Sequence, residues 1–521
     1  MTTGSRPGIQ GGNAVAEDEL VKPMDRHNRR LVENVHPPDW QNPQPADSYN
    51  LVVIGAGTAG LVAAAGAAGL GARVALVERH LLGGDCLNVG CVPSKCIIRA
   101  SRVAHRVRNA GEYGVRMPDG VEVDFGAVMA RMRRLRAEMS RHDCAERMTE
   151  MGVDVFLGEG SFTGRGTVRA AERNLPYKKA IIATGARAYR PPIPGLEEAG
   201  FLTNETVFSL TERPERMAVF GAGPLGCELS QAFQRLGTQV TILEKTDHLL
   251  PKEDSDAAQI LAEALARDGV DVRRSTECVR VEAVEGQKHV YFACDDEEEE
   301  PLVVDEILVG AGRAPNVQGL DLEAAGVEYT ERHGVQVDDR LRTTNPDIFA
   351  AGDICLRYKF THTADASARI ALQNALFWGR KKRSAMTIPW CTYVDPEIAH
   401  VGMYERDAEE EGIPVRTFTE WFEDVDRAVA DGSTNGFARV HVRDGTDEIL
   451  GATIVAPHAG EMITEITVAM QGGLGLGGLA NVIHPYPTQA EAVKHVADRY
   501  NRTRLTPFWK KLSSRLMAWR R

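Results

Sequence analysis

The sequence predicts an α/β protein with two doubly wound, Rossmann-like nucleotide-binding domains and a C-terminal α+β domain. Three observations support this fold class. An apolar strand runs into a glycine-rich turn at residues 51–60, and the same strand–turn–helix–strand pattern returns near residue 218. From about residue 388 onward, strands and helices alternate without another glycine-rich phosphate loop. A repeated unit of this kind indicates two dinucleotide sites in one chain.

Composition excludes several classes of protein. The chain has 521 residues, 43% of them hydrophobic and 26% charged, as in ordinary soluble proteins. A net charge of -12 argues against nucleic acid as the main partner. Because no uninterrupted apolar run is long enough for a membrane span and the N-terminus lacks a secretory signal, we expect a cytoplasmic protein. Nine cysteines, an odd number, suit a reducing compartment with a few catalytic thiols.

Four segments outside these motifs have a distinctive composition. Residues 1–48 are polar, and we expect them to pack on the surface or stay mobile. Residues 126–151 predict one long helix, with the basic run at 131–136 on its solvated face, and the acidic run at 295–300 predicts a hairpin tip. The basic amphipathic tail at 506–521 is expected to dock on its own dimer or stay mobile, with an anionic membrane surface as the alternative.

The first glycine loop contains Gly55, Gly57 and Gly60 directly after the strand. Gly55 permits the tight turn, Gly57 lets the backbone approach a pyrophosphate, and Gly60 lets helix and strand pack closely. Glu78 ends the next strand, 23 residues after Gly55, where a carboxylate can accept hydrogen bonds from ribose hydroxyls.

The second loop repeats this arrangement with Gly221, Gly223 and Gly226, and Glu244 again follows at 23 residues. One such loop is weak evidence, since glycine-rich turns are common, but two with identical acid spacing predict two nucleotide sites. Glu244 also favours the 2′-hydroxyl of NADH over the 2′-phosphate of NADPH, although the adjacent Lys245 partly offsets this preference.

Between the loops, the segment GGDCLNVGCVPSK places Cys86 and Cys91 at the start of a predicted helix. Such a pair can form a disulfide when the first cysteine lies in the turn before the helix, and the helix N-terminus favours a thiolate. Two buried structural cysteines are the usual alternative for free thiols. The flanking glycines and the VPSK sequence favour a redox pair.

This segment resembles the redox motif of the class I pyridine nucleotide–disulfide oxidoreductases, the family of dihydrolipoamide dehydrogenase, glutathione reductase and mercuric reductase. The resemblance extends from residue 50 to about 500. Further motifs follow in family order: IIATG at 181–185, GAGRAPN at 310–316, TTNPDIFAAGD at 343–353 and PWCTYVDPEIAHVG at 389–402. The resemblance implies bound FAD, NAD(P)H as electron donor, and a homodimer.

The resemblance also implies a division of the chain. Its parts are an N-terminal extension (1–48), an FAD-binding domain in two pieces (49–188 and 317–386), an NAD(P)-binding domain (189–316), a dimerisation domain (387–505) and the basic tail (506–521).

Residue roles follow from the same resemblance. Cys86 is expected to be the interchange thiol that faces the substrate, and Cys91 the charge-transfer thiolate against the flavin. Lys95 and Glu228 match an ion pair near flavin N5, and Asp353 matches the contact to the ribityl hydroxyls. The remaining expected cofactor contacts are Thr184, Gly185 and Gly312.

Two positions depart from the family pattern. Asp85 stands before Cys86, where the family usually has threonine, and a carboxylate there opposes thiolate formation unless it points away. In HPYPTQAE at 484–491, Tyr486 occupies the position of the family's histidine base, ahead of Glu491. Tyr486 and Glu491 are expected to complete the site of the other subunit, and His484 lies two residues before Tyr486.

The tyrosine suggests a substrate that needs no base. We expect the Cys86–Cys91 pair to bind a thiophilic metal ion transiently, Hg(II) first, and to pass electrons to it. Mercuric reductases also carry a C-terminal cysteine pair, whereas no cysteine follows Cys391 here; Cys96 and Cys391 are candidate auxiliary thiols, with core burial favoured for both. The alternatives are a disulfide or quinone reductase using His484 as base, and a non-catalytic redox sensor.

Overall fold

The computed structural model of the chain describes residues 20–117, 120–294, 297–298 and 301–521. The helices are α1 (Arg26–Val35), α2 (Thr58–Gly69), α3 (Gly84–Asn88), α4 (Cys91–Arg108), α5 (Phe125–Met139), α6 (Ala145–Glu150), α7 (Leu196–Ala199), α8 (Pro224–Arg235), α9 (Ser255–Asp268), α10 (Thr361–Leu376), α11 (Glu405–Glu410), α12 (Asp426–Ala430), α13 (Ala459–Gly472), α14 (Leu476–Leu479), α15 (Glu491–Thr503) and α16 (Pro507–Trp519).

The strands of the two nucleotide domains are β1 (Tyr49–Ile54), β2 (Val74–Glu78), β3 (Val153–Leu157), β4 (Gly160–Gly164), β5 (Thr167–Ala170), β6 (Arg173–Ile182), β7 (Ala186–Ala188), β8 (Arg216–Phe220), β9 (Gln239–Leu243), β10 (Asp271–Arg273), β11 (Glu277–Val284), β12 (Gln287–Cys294), β13 (Glu297–Glu298), β14 (Leu302–Val304), β15 (Glu306–Val309), β16 (Arg313–Pro315), β17 (Tyr329–Thr330), β18 (Gly334–Val335) and β19 (Ile348–Ala350). Those of the C-terminal domain are β20 (Pro389–Thr392), β21 (Glu397–Gly402), β22 (Val415–Trp421), β23 (Phe437–Arg443) and β24 (Ile449–Ala456).

The first domain is built on a seven-stranded sheet in the order β3-β2-β1-β6-β5-β4, with β19 beside β6. Strand β1 runs parallel to β2 and β6 in the middle of the sheet, and its residues Leu51–Ile54 are fully buried or nearly so. Helices α2 and α10 pack against each other on this sheet. Since β19 comes from residues far along the chain, the chain returns to this domain after leaving it.

The second domain repeats the same unit. Its parallel sheet has the order β10-β9-β8-β15, and an antiparallel sheet of β11, β12, β13 and β14 lies beside it. Strand β8 occupies the place of β1, and helix α8 the place of α2. The predicted α/β class with two doubly wound domains is confirmed.

The C-terminal domain contains a five-stranded antiparallel sheet in the order β20-β21-β24-β23-β22. Helix α13 packs on β21 and β24, and α15 packs on β22 and β23. All eight residues of β24 are buried, and this strand lies at the centre of the hydrophobic core of the C-terminal domain. The predicted α+β architecture of this part is confirmed.

The described part of the N-terminal extension, residues 20–48, packs on the first domain. Leu31, Val32 and Val35 of α1 enter the core of that domain. The Asn42 side chain donates to the carbonyl of Leu157 (2.9 Å) and accepts from its N–H (2.7 Å), which gives the edge strand β3 a hydrogen-bonding partner. Residues 1–19 lie outside the described part, as do residues 295, 296, 299 and 300 of the acidic run.

Two predictions for residues 126–151 are wrong in part: that they form one long helix, and that the arginines at 131–136 lie on its solvated face. Helix α5 ends at Met139, and α6 starts only at Ala145. Arg133 and Arg136 are 6% and 2% exposed, because α1 covers this face of α5 and supplies polar partners. Arg133 pairs with Asp25, and Arg136 donates to the Asn88 carbonyl and to Oδ1 of Asn28.

Membrane spans were not expected from the sequence. Throughout the residues that the structure describes, no helix combines the length and the apolar character needed to cross a bilayer.

Replacing Arg136 with alanine tests the role of this buried arginine. We expect Arg136→Ala to lower the free energy of unfolding by about 3 kcal/mol, since it leaves a cavity and two buried acceptors without donors. Arg134→Ala, on the exposed side of the same helix, should cost less than about 0.5 kcal/mol. Denaturant unfolding followed by circular dichroism measures both, and equal effects would contradict the structural role assigned to Arg136.

Candidate active site

The first glycine loop has the geometry of a phosphate-binding turn. Gly55 has φ +99°, and a Cβ there would lie 2.4 Å from the Ala183 carbonyl oxygen. A Cβ on Gly60 would lie 1.8 Å from the Gly55 oxygen, so only glycine allows this contact between helix and turn. At Gly57 the nearest atom would be 3.7 Å away, which leaves room on that side for a phosphate at the N-terminus of α2.

Glu78 holds this loop in place. Its Oε2 accepts the Ala56 N–H at 2.7 Å, and its Oε1 accepts the His80 N–H at 2.8 Å. The carboxylate is buried, and burial raises its pKa. The position of Glu78 in the sequence predicts only a contact to the ribose; in the structure its carboxylate also fixes the turn.

The second loop has the same geometry. Gly221 has φ +97°, a Cβ on Gly226 would lie 2.0 Å from the Gly221 oxygen, and Gly223 again has open space beside it. Glu244 accepts the Ala222 N–H at 2.6 Å through Oε2, as Glu78 does in the first loop. The two loops are therefore structural copies, as the sequence repeat predicts.

The two cysteines lie on either side of a tight turn. Cys86 is inside α3 and Cys91 is the first residue of α4. A Cβ on Gly90 would lie 2.7 Å from the Asp85 carbonyl oxygen, so glycine permits the chain to bring the two thiols together. The Thr361 hydroxyl, at the start of α10, lies 3.3 Å from Cys91 Sγ.

The two thiols differ in protonation. A hydrogen bond from Cys86 lowers the pKa of Cys91 to about 6, assisted by Thr361 and by the positive charge of Lys95 and opposed by burial. The same hydrogen bond raises the pKa of Cys86, and burial raises it further. At neutral pH the pair is therefore a Cys91 thiolate that accepts a hydrogen bond from a Cys86 thiol.

Lys95 and Glu228 form the ion pair that the resemblance implies. Lys95 Nζ lies 2.8 Å from Glu228 Oε2 and 4.6 Å from the centre of the Tyr393 ring. The other oxygen of Glu228 accepts the Tyr393 N–H at 2.9 Å. One carboxylate thus joins α4 of the first domain, α8 of the second and the C-terminal domain.

Asp85 does point away from the thiols. Its carboxylate forms an ion pair with Arg313, whose Nη2 also donates to the Ala186 carbonyl at 2.7 Å. Arg313 Nε lies 3.6 Å from Asp353 Oδ2. Arg313 lies within GAGRAPN, but no local pattern predicts its role, because its partner is 228 positions away. Thr361 was missed for the same reason.

The residues expected at the flavin fit such a group. Asp353 is largely buried, and the buried Thr363 hydroxyl near the N-terminus of α10 has no partner within the described residues. Gly185 and Gly312 have φ +68° and +116°, and nothing lies near the Cβ position of either. These residues, with the open side of Gly57, are the ones that would hold the flavin. Thr184, by contrast, already donates to the Asn316 carbonyl at 2.9 Å.

The residues of HPYPTQAE lie in the C-terminal domain. Tyr486 is 71% exposed, and its hydroxyl donates to Asp426 at 2.9 Å. The His484 side chain is only 5% exposed, with Nε2 2.8 Å from Glu465 Oε1. Glu491 accepts the Thr488 N–H at 3.3 Å. None of the hydrogen bonds of these side chains, among the described residues, reaches the cysteine pair, so their predicted role depends on a second subunit.

The two candidate auxiliary thiols are not activated. Cys96 is buried in the core, and Cys391 is half-buried near Glu397. Burial raises the pKa of both thiols, so neither is a thiolate at neutral pH.

Comparison with known proteins agrees with this geometry. Residues 49–368 match the family of pyridine nucleotide-disulphide oxidoreductases, and residues 388–497 match the dimerisation domain of that family. The chain belongs to this family. It is therefore an FAD-dependent oxidoreductase that uses NAD(P)H, and the matched C-terminal domain indicates a homodimer.

The names of the similar proteins point to different substrates. The chain is 34% identical to mercuric reductase from Staphylococcus aureus, over 86% of this chain and 82% of that protein. It is 33% identical to dihydrolipoyl dehydrogenase from Thermus scotoductus, over 87% and 97%. A Cu(II) complex of the HOCl-induced flavoprotein disulfide reductase RclA from Escherichia coli superposes with a TM-score of 0.76 at 29% identity, over 85% and 98%.

The difference between the two thiols gives a pH prediction. In this enzyme with its cysteine pair reduced and its flavin oxidised, the charge-transfer absorbance between the Cys91 thiolate and the flavin should be present above about pH 6. It should disappear as the pH falls below about 6, because Cys91 is then protonated. Thr361→Val removes a donor to the thiolate and should move the midpoint to higher pH, while Thr361→Ser should restore it. An absorption titration measures all three. A midpoint near that of an ordinary thiol in the native enzyme would contradict the assignment.

Proposed function

We propose that this oxidoreductase passes electrons from NAD(P)H to the Cys86–Cys91 pair and from there to a thiophilic metal ion, with Hg(II) as the leading candidate. The observation that supports this proposal most strongly is Tyr486 at the position where disulfide reductases of the family carry a histidine base. Exchange with a disulfide needs a group that holds the proton of the leaving thiol near neutral pH.

Tyr486 is poorly suited to that task. A tyrosine has an unperturbed pKa of about 10, and the hydrogen bond to Asp426 raises the pKa of this one further. Its hydroxyl therefore keeps its proton at neutral pH and acts as a donor. A hydroxyl donor near the dithiol can orient a bound ligand but cannot replace an imidazole in proton transfer.

A soft metal ion needs no such base. Hg(II) binds the Cys91 thiolate directly and displaces the proton of the Cys86 thiol, which forms two metal–sulfur bonds and releases one proton. FAD, when bound, supplies the route for the two electrons of NAD(P)H. In balance, NAD(P)H and Hg(II) give NAD(P)⁺, Hg(0) and one proton, and the cysteine pair returns as thiol and thiolate.

The roles of the two cysteines follow from their environments. We assign Cys86 as the thiol that meets the substrate and Cys91 as the thiolate beside the flavin, since Cys91 contacts Thr361 at the start of α10 and has Lys95 near it. Similarity to mercuric reductases and to a Cu(II)-binding neighbour supports a metal substrate.

A disulfide reductase is the second candidate. The observation in its favour is the His484–Glu465 pair, because a carboxylate that holds one imidazole nitrogen is how a histidine base is oriented. However, the His484 side chain is almost completely buried, and Nδ1 lies 3.1 Å from the Val482 carbonyl. Use of His484 as base requires the loop to move. A non-catalytic redox sensor is the third candidate. The two intact nucleotide loops favour an enzyme over such a sensor.

Exchanging the residue at the base position tests the proposal. Tyr486→His should raise the rate of lipoamide or glutathione disulfide reduction by about 10²-fold, since general acid–base help is typically worth ~10²–10⁴-fold. The same change should lower Hg(II) reduction. Steady-state NAD(P)H oxidation with each acceptor measures both.

The matched control is His484→Ala, which should leave Hg(II) reduction unchanged. If His484→Ala abolished a rapid disulfide reduction by the native enzyme, the metal proposal would fail and the disulfide reductase would replace it.

Nucleotide preference is a separate prediction. The buried Glu244 carboxylate, at the end of β9, should repel a 2′-phosphate, so we expect kcat/KM with NADH to equal or exceed that with NADPH. Glu244→Gln keeps an acceptor for the Ala222 N–H but removes the charge, and should shift the ratio toward NADPH. A native preference for NADPH of more than about tenfold (about 1.4 kcal/mol) would show this prediction to be wrong.

A further inference from the structure

The last helix of the chain, α16, is exposed on all sides. None of its residues is buried, and it lies beyond residue 497, where the match to the family ends. Its start is well defined: Thr506 is the N-cap, its hydroxyl accepts the Trp509 N–H, and Pro507 is the first helical residue. Because α16 has its own start signals and buries no face against its own chain, its whole surface is available to a partner outside the subunit.

The side chains of α16 divide into two faces. With about 100° per residue, five large apolar side chains fall within an arc of roughly 100°. All of them are solvent-exposed, from 44% for Leu516 to 81% for Trp519. The five are Phe508, Trp509, Leu512, Leu516 and Trp519.

Basic residues border this arc. Arg515 and Arg520 flank it on its two sides, while Lys510, Lys511 and Arg521 lie on the opposite face. Residues 506–521 contain these five basic residues and no acidic one, although the whole chain carries -12. No ion pair forms between these five and any other residue that the structure describes. Their charges therefore remain available to an anionic partner.

We propose that α16 is a peripheral membrane anchor that lies flat on a bilayer containing anionic phospholipids. The arc of Phe, Leu and Trp side chains would enter the boundary between headgroups and acyl chains, where tryptophan is favoured. Arg515 and Arg520, on the two sides of the arc, would then reach the phosphate groups in the plane of the headgroups.

The charge pattern favours a membrane over a second copy of the chain. A protein surface that accepted α16 would need carboxylates along both edges of an apolar groove of matching length. An anionic bilayer supplies an apolar layer below a plane of negative charge at any position. The tryptophans near the two ends of the helix, Trp509 and Trp519, lie in the same arc, which suits a helix parallel to the membrane surface.

Vesicle flotation with the full-length, FAD-loaded protein tests this proposal. We expect the protein to float with phosphatidylcholine vesicles that contain about 30% phosphatidylglycerol, and at least tenfold less with phosphatidylcholine alone. Raising the salt to about 0.5 M should weaken the binding. Since each basic residue near an anionic surface is worth about fivefold in partition, Arg515→Glu/Arg520→Glu, which reverses the two charges that flank the arc, should reduce binding by at least about 20-fold.

A matched control is Arg29→Glu/Arg30→Glu, which makes the same charge change on the exposed side of α1 and should leave flotation unchanged. Leu512→Glu/Leu516→Glu should abolish flotation while FAD content, NAD(P)H oxidation and dimer mass stay the same. These readouts also separate this proposal from the proposed substrate, because neither vesicle binding nor its loss depends on the electron acceptor.

Three results would overturn the proposal. The first is an absence of flotation with anionic vesicles. The second is an equal loss of binding in the α1 control, which would mean that only net charge matters. The third is a change of oligomeric mass in Leu512→Glu/Leu516→Glu, which would show that α16 docks on a second copy.

Discussion

Glu228 is a buried carboxylate that three parts of the chain share, and the arrangement around the thiols depends on it. It accepts from Lys95 of the first domain and from the Tyr393 N–H of the C-terminal domain, while it is itself part of α8 in the second domain. A buried polar group without partners is costly, so these contacts hold the Glu228 side chain in place between the three parts of the chain. The same ion pair places the ammonium of Lys95 near Cys91, at the junction of the three domains.

The consequence is an electrostatic difference between two thiols that are five positions apart. Lys95, Thr361 and the Cys86 thiol stabilise negative charge on Cys91, whereas burial and Glu228 oppose it. A second carboxylate close to the pair would shift this balance, and Arg313 prevents it by pairing with Asp85. The aspartate that replaces the usual threonine is thus tolerated because Arg313, the first residue of β16, pairs with it.

The parts of the site that could be predicted from sequence are those in which function depends on local spacing. The glycine loops and the cysteine pair follow from short segments whose turns permit only certain residues, and both loops fold as their repeat predicts. Lys95 and Glu228 were paired only through resemblance, since no local pattern links them. Arg313, Thr361 and the burial of Arg136 were not predicted, because each depends on a partner that only the tertiary fold brings near. Arg136 is buried by α1, which belongs to the N-terminal extension. The polar composition of that extension predicts only a position on the surface or a mobile segment.

In the function that we propose, the dithiol serves a metal ion rather than a disulfide. The most direct measurement is acceptor competition in the native enzyme: NADH-dependent release of Hg(0), followed with lipoamide and glutathione disulfide present in excess. We expect steady formation of Hg(0) with disulfide turnover slower by about 10²-fold, the minimum expected for a missing base. Rapid disulfide reduction with no release of Hg(0) would contradict it.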